Sequence, residues 1–190
     1  MNQQEIIDLF KQSNALLTGH FKLTSGKHSD VYYEKFTLLK QPSLCTRICE
    51  EMAAGLKDSG AETIVGPTTG GIIIAYDIAR YLGIESIYAE PGGDGRVFKR
   101  GFSLEKGQKV AIVDDVLTTG KSVFEVIDLV KPYGADIVAI SLMLDRSNGQ
   151  VKFDYPYRAL ASVEANNWDA EKCPLCAKGM ELTQRGSRKF

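Results

Sequence analysis

No stretch of this 190-residue sequence approaches 18 consecutive apolar residues, so no membrane-spanning helix is expected. There is no excess of either charge: 23 Lys and Arg stand against 24 Asp and Glu, a net charge of −1. That excludes the broad basic field by which a protein gathers nucleic acid or an anionic membrane, and neither is expected as a partner. The opening MNQQEIIDLF carries acid where a secretory signal needs positive charge, and no long apolar run follows. A cytoplasmic location is expected. No internal repeat, low-complexity tract or linker divides the chain, whose length suits one domain with a buried core. Cysteine is scarce, four residues in two close pairs. Cys45 and Cys49 lie beside a helical stripe of Leu44, Ile48, Met52 and Leu56, where free cysteine packs as a small hydrophobe. Cys173-Pro174-Leu175-Cys176 has the spacing of half a zinc knuckle. Its other half would have to be Cys45 and Cys49 or a partner chain. With no histidine nearby in the sequence, a plain structural loop is the expectation.

What is present is an alternation. A first helix is predicted over residues 2–16, with Ile6, Ile7, Leu9 and Phe10 as its apolar side. The turn-rich GHFKLTSGKHSD follows, then a possible strand VYYEKF and a helix over 43–58 that ends before Gly60. From there short apolar runs alternate with helical patterns: ETIVG and a helix over 71–82; IESIYAE; KVAIV and a helix carrying Val123, Val126, Ile127 and Val130; DIVAISLML; RALASV. Such alternation predicts an α/β fold with a central, mostly parallel sheet flanked by helices. In those sheets ligands bind beyond the carboxyl ends of the strands, so the loops after IVG, YAE, AIV and LML are the ones to inspect.

The loop after KVAIV ends in Thr119-Gly120-Lys121-Ser122, the second half of a nucleotide-triphosphate loop. The first half is missing: the glycine required five positions before Gly120 is Asp115, with Asp114 beside it. Carboxylates only accept hydrogen bonds, so they repel phosphate and suit sugar hydroxyls. The hydroxyls of Thr118, Thr119 and Ser122, with the open N–H groups of a helix start, suit a phosphate. A ribose 5-phosphate satisfies both ends.

The run from the apolar strand through Asp114, Asp115, Val116, Leu117, Thr118, Thr119, Gly120, Lys121 and Ser122 resembles the phosphoribosyl pyrophosphate motif of type I phosphoribosyltransferases. The resemblance implies that Asp114 and Asp115 act on the ribose during catalysis. It implies Mg²⁺ held mainly through substrate and water, with no protein ligand assigned. The glycine-rich VGPTTGGIIIA matches the family's pyrophosphate loop and puts Thr68, Thr69 and Gly70 on the ligand. AEPGGDGRVFKRGF lies where the family has a mobile flap over the leaving group. Arg96, Lys99 and Arg100 are its cations, and Lys99 and Arg100 are expected to be catalytic.

Residues 19–36, GHFKLTSGKHSDVYYEKF, resemble the N-terminal segment of orotate phosphoribosyltransferases through Phe21, Leu23, Ser25, Gly26, Lys27, Ser29, Tyr32 and Tyr33. The resemblance places Ser25, Lys27, Thr118 and Arg146 on orotate, with Arg146 on its carboxylate. Thr24 stands where some of these enzymes carry lysine, and His28 is expected to be a structural loop residue. Asp145 is the alternative, structural partner of Arg146. The tail CPLCAKGMELTQRGSR resembles that of a short-chain bacterial and archaeal subgroup. The implied organisation is a base-binding hood over 1–40, an α/β core over 43–160 and a tail over 161–190. The implied assembly is a homodimer with flaps reaching across the interface. A transferase for another base, or a non-enzymatic sensor of phosphoribosyl pyrophosphate, would share the central motif. Arg146 argues against a purine, which has no carboxylate to hold.

Overall fold

In a computed structural model, which describes residues 1–23, 25–93 and 95–184, the chain opens with helix α1 (Gln3–Gln12). Asn2 and Glu5 close a reciprocal capping box at its start, and Ile6, Leu9 and Phe10 form its buried side. The helix stops short of the predicted residue 16 because the next residues join a sheet. Strand β1 (Leu16–Lys22) pairs antiparallel with β2 (His28–Tyr33), so the stretch predicted as turn-rich is divided between the two arms of a hairpin and its turn. Gly26, at φ +83°, makes the turn between them. Thr24, on which one expectation rested, lies outside the described residues. VYYEKF is divided between β2 and a short helix α2 (Lys35–Leu39).

Helix α3 (Pro42–Leu56) buries Cys45, Ile48, Cys49, Met52 and Leu56, as the four-residue stripe predicts. Then strand and helix alternate: β3 (Thr63–Pro67), α4 (Gly70–Leu82), β4 (Glu85–Gly92), β5 (Gly95–Val97), β6 (Lys109–Leu117), α5 (Lys121–Val130), β7 (Asp136–Asp145) and β8 (Tyr157–Ser162). These six strands form one sheet in the order β5-β4-β3-β6-β7-β8. All neighbours are parallel except β5, which folds back on β4 as an edge hairpin. Asp94, within that hairpin's turn, is outside the described residues.

The sheet is buried on both sides, and strict alternation decides which residue meets which layer. Ala111, Val113 and Met143 pack with α1, α3 and α4. Val110, Ile112, Ile140 and Leu142 pack with α5. The predicted α/β architecture with a mostly parallel sheet is present.

The tail adds β9 (Asn167–Trp168), a short helix α6 (Pro174–Ala177) and β10 (Thr183–Gln184). Its two strands join the hairpin in a second sheet of order β10-β1-β2-β9. Hood and tail, opposite ends of the sequence, thus share one sheet.

Candidate active site

Strand β6 runs further than its apolar letters. Its pairing with β7 continues to Leu117↔Asp145, so Asp114 and Asp115 are strand residues and the turn is confined to 118–120. The reason is the length of β7, which gives those residues a partner. Because a strand's side chains alternate, the two neighbouring carboxylates leave on opposite faces. Asp114 shares the parity of Val110 and Ile112 and meets the start of α5: its Oδ2 accepts from Ser122 Oγ at 2.6 Å. Asp115 shares the parity of Ala111 and Val113 and meets the start of α4. A Cβ on Gly70 would lie 2.5 Å from Asp115 Oδ2, so only glycine fits there. Lys35 of α2 completes that side, with Nζ 2.8 Å from the same oxygen.

Both carboxylates are buried, and burial governs their titration. It pushes Asp114 up to about 7, with Asp115's charge adding to the effect and the bonds from Ser122 and the Asp115 N–H opposing it. Asp115 is also raised by burial, against the pull of Lys35. Burial disfavours the Lys35 charge, but Asp115 outweighs it and the ammonium is stabilised. Nothing in the sequence pattern singled out Lys35. Only the fold of α2 over the strand ends brings it there.

Helix α5 starts at Lys121 after Gly120, whose φ of +76° and tight surroundings (Phe124 and Val151 at 2.9 Å from a Cβ) admit only glycine without strain. The N-cap residues of α5 and α4 make no side-chain cap, and only a long 3.5 Å bond from Lys121 N to Thr119 Oγ1 touches the start of α5, whereas α1 has a complete capping box. Uncapped helix starts present free donors and a positive dipole end. Val116, Thr118, Thr119, Gly120, Lys121 and Ser122 line a cleft of about 440 Å³, closed on the far side by Pro91, Gly95, Arg96 and Glu125. Leu117, by contrast, is buried in the core, and its carbonyl accepts from Arg146 N. The Thr68–Thr69 peptide at the entry to α4 is cis.

The hairpin β4–β5 places its cations unequally. Arg96 reaches the pyrophosphate-type loop: Nη1 donates to Thr68 O, Thr68 Oγ1 and Ala89 O, and Nε to Glu125 at 3.1 Å. Lys99 and Arg100 are exposed beyond the end of β5, on the side away from the hairpin's turn, where both face Glu90, at 3.8 and 3.1 Å.

Arg146 follows β7 at the same sheet edge. Its Nε is buried with no hydrogen-bond partner, and burial lowers its affinity for the proton, offset in part by Tyr33 and Asp30. The alternative pairing with Asp145 is not made: Asp145 accepts from Ser147 N and from Tyr157 Oη. Tyr33 of β2 is half-buried, its hydroxyl buried and also without a partner among the described residues, and the charges of Asp115, Asp114 and Arg146 all act on it. Ser25 and Lys27 stand apart on the exposed hairpin turn, where Lys27 Nζ is 3.6 Å from Asp169 of the tail. The geometry therefore gathers a phosphate cradle, two acceptors and an unpaired guanidinium along one sheet edge.

Residues 38–177 match the phosphoribosyl transferase domain family. The chain is 41% identical over its whole length to the whole of an orotate phosphoribosyltransferase of Desulforamulus reducens. It is 41% identical over 99% of its length to one of Chlorobium phaeobacteroides, covering 97% of that protein. Among solved structures it resembles the orotate phosphoribosyltransferase of Aeropyrum pernix, with TM-score 0.67 and 25% identity over 83% of this chain and 93% of that one. The adenine phosphoribosyltransferase of Thermoanaerobacter pseudethanolicus shares the fold, with TM-score 0.60 and 21% identity over 70% and 88% of the two chains.

Proposed function

Because the chain belongs to the orotate branch of the phosphoribosyltransferase family, we propose that it transfers the 5-phosphoribosyl group of phosphoribosyl pyrophosphate to orotate, giving orotidine 5′-monophosphate and pyrophosphate. The observation that carries the choice of base is the buried, unpartnered Nε of Arg146. A lone guanidinium donor out of water is costly unless a ligand completes it, and a carboxylate completes it in a bidentate fork. Neither uracil nor a purine offers one.

The reaction replaces pyrophosphate by a ring nitrogen at ribose C1, with positive charge growing on the sugar. Such a displacement needs placement and electrostatics more than acid–base help. The start of α5 with Thr118, Thr119 and Ser122 holds the 5′-phosphate. Asp114 and Asp115 accept from ribose hydroxyls and offset the growing charge. Thr68, Thr69 and Gly70 hold pyrophosphate at the start of α4. Buried, hard carboxylate oxygens suit Mg²⁺, which keeps waters and substrate phosphates as its other ligands. Asp114 and Asp115 would face it, and its chemistry is to neutralise pyrophosphate as that group leaves. Lys99 and Arg100 exchange Glu90 for the leaving pyrophosphate when the hairpin closes, while Arg96 ties the hairpin to the loop. Ser25, Lys27 and Thr118 are assigned to orotate.

A homodimer is part of the reading. Its support is the exposed apolar face of Phe36, Ile73 and Tyr76, which continues into a groove with Leu39, Pro42 and Ile72. A second copy of the chain is its occupant. A cytoplasmic location draws support from four free thiols. A steady-state assay offering orotate, uracil, adenine and guanine tests the whole: orotate is expected to be used far better than the rest. Preference for any other base would overturn the reading.

A further inference from the structure

Away from the cleft, four side chains from opposite ends of the chain converge. His20 lies on β1, His28 opens β2, and Cys173 and Cys176 flank the start of α6. One ligand atom of each lies within 4.8 Å of all the others, and three of the four residues are buried. His20 Nε2 is 3.4 Å from Cys173 Sγ and 3.6 Å from Cys176 Sγ. His28 Nδ1 is 3.3 Å from Cys176 Sγ and 2.9 Å from His20 Nε2. A tetrahedral ion bonded at ordinary zinc–sulfur and zinc–nitrogen lengths sets S···N edges of about 3.5 Å and an N···N edge of about 3.3 Å. The four separations above lie within about 0.4 Å of those edges.

Hydrogen bonding among the four side chains accounts for this poorly. His20 Nδ1 lies 2.9 Å from the Met180 carbonyl, and only a protonated Nδ1 can bond a carbonyl. Its Nε2 is then an acceptor with one lone pair, onto which two thiols and a second imidazole crowd. One donor can satisfy it; a cation accounts for all. A ring N–H held by a backbone carbonyl is also how metal-bound histidines are oriented.

We propose that His20, His28, Cys173 and Cys176 form a closed, structural zinc site. Two nitrogen and two sulfur ligands in tetrahedral array select zinc over magnesium or calcium, and four protein ligands leave no open position for catalysis. Cys173 and Cys176, unpaired as thiols, supply the charge. The ion clasps the tail to the hairpin at the place where β9 and β10 flank it, with His28 opposite Trp168 and Phe21 opposite Thr183. It also brackets the turn at Gly26 between the two histidine strands. The second half of the knuckle, sought in Cys45 and Cys49 or a partner chain, is instead a histidine pair as much as 156 residues from its cysteine. Cys45 and Cys49 stay in the core beneath α3.

The full-length protein, purified without chelator, should hold about one zinc per chain by elemental analysis. Cys176→Ser, at an exposed position, should lower that content about tenfold or more. Removing zinc with a strong chelator should lower the melting temperature of the wild type, and adding zinc back should restore it. Cobalt introduced in its place should show thiolate charge-transfer bands and the strong visible bands of tetrahedral coordination. Wild-type protein that stays metal-free after reconstitution under reducing conditions, or Cys176→Ser that keeps the wild-type zinc content, overturns the site. So does a cobalt spectrum without thiolate bands. If Cys176→Ser does not fold, the metal content and cobalt spectrum of the wild type decide alone.

Discussion

In the proposed reaction the choice of base is assigned to Arg146. Orotate differs from uracil by one carboxylate, and the partnerless Nε of Arg146 is the group placed to meet it. Arg146→Ala should cost about 2–4 kcal/mol in kcat/KM for orotate, roughly 30- to 1000-fold, because it leaves the carboxylate unpaired. The ratio to uracil, measured in parallel, cancels general damage to the site. An equal loss for every base would mean that Arg146 does not read the carboxylate.

Asp114 offers a second test at this scale. Its carboxyl is raised to about 7 by burial and the neighbouring Asp115. The native state therefore keeps a proton that the unfolded chain releases from about pH 4 upward. Stability should fall as pH rises from about 4 to about 7 and level off above. Asp114→Asn should flatten that slope in urea unfolding followed across the window. An undiminished slope would locate the effect in other groups. Activity should run the opposite way, rising through the same range as the ribose acceptor ionises. Asp114→Asn combined with Asp115→Asn should abolish turnover while the far-ultraviolet circular dichroism persists.

At the scale of elements, the hairpin β4–β5 divides its labour. Arg96 is locked to Thr68 and Glu125, while Lys99 and Arg100 rest on Glu90 at the exposed end. If the outer pair meets pyrophosphate only as it leaves, Lys99→Ala or Arg100→Ala should lower kcat more than it raises KM for orotate. Wild-type kcat in both variants would move the role to Arg96. Arg96→Ala should instead raise KM for phosphoribosyl pyrophosphate, since it frees the Thr68 loop, which the proposal assigns to the diphosphate even before reaction.

The whole molecule presents Ile73 and Tyr76 of α4 to solvent, on the helix whose first turn we assign to pyrophosphate. An apolar face of this kind is covered in most proteins by a partner. Light scattering of the wild type should report a dimer, and Tyr76→Asp should shift it toward monomer with loss of activity. A wild-type monomer would leave that face without the second copy assigned to it.

The alternation of short apolar runs with helical stripes determined the α/β class, because a strand buried on both faces must read as an unbroken apolar run. Helices α3 and α4 were legible to within one or two residues and α5 by its apolar positions, since each carries its burial stripe in its own sequence. Strand β1 was not: GHFKL has no clear period of two, and Leu16–Lys22 is a strand only because β2 and β10 pair with it. The strand–turn–helix that carries the proposed phosphate cradle was legible because its parts are contiguous. The separation of Asp114 from Asp115 onto opposite faces needed the strand to be seen extending through them along β7. The freedom of Arg146 could be settled only when Tyr157 and Ser147 were found on Asp145. Lys35 over Asp115, and two histidines facing two cysteines from the far end of the chain, left no local mark. Proximity between residues remote in sequence is set by packing, and packing belongs to the fold as a whole.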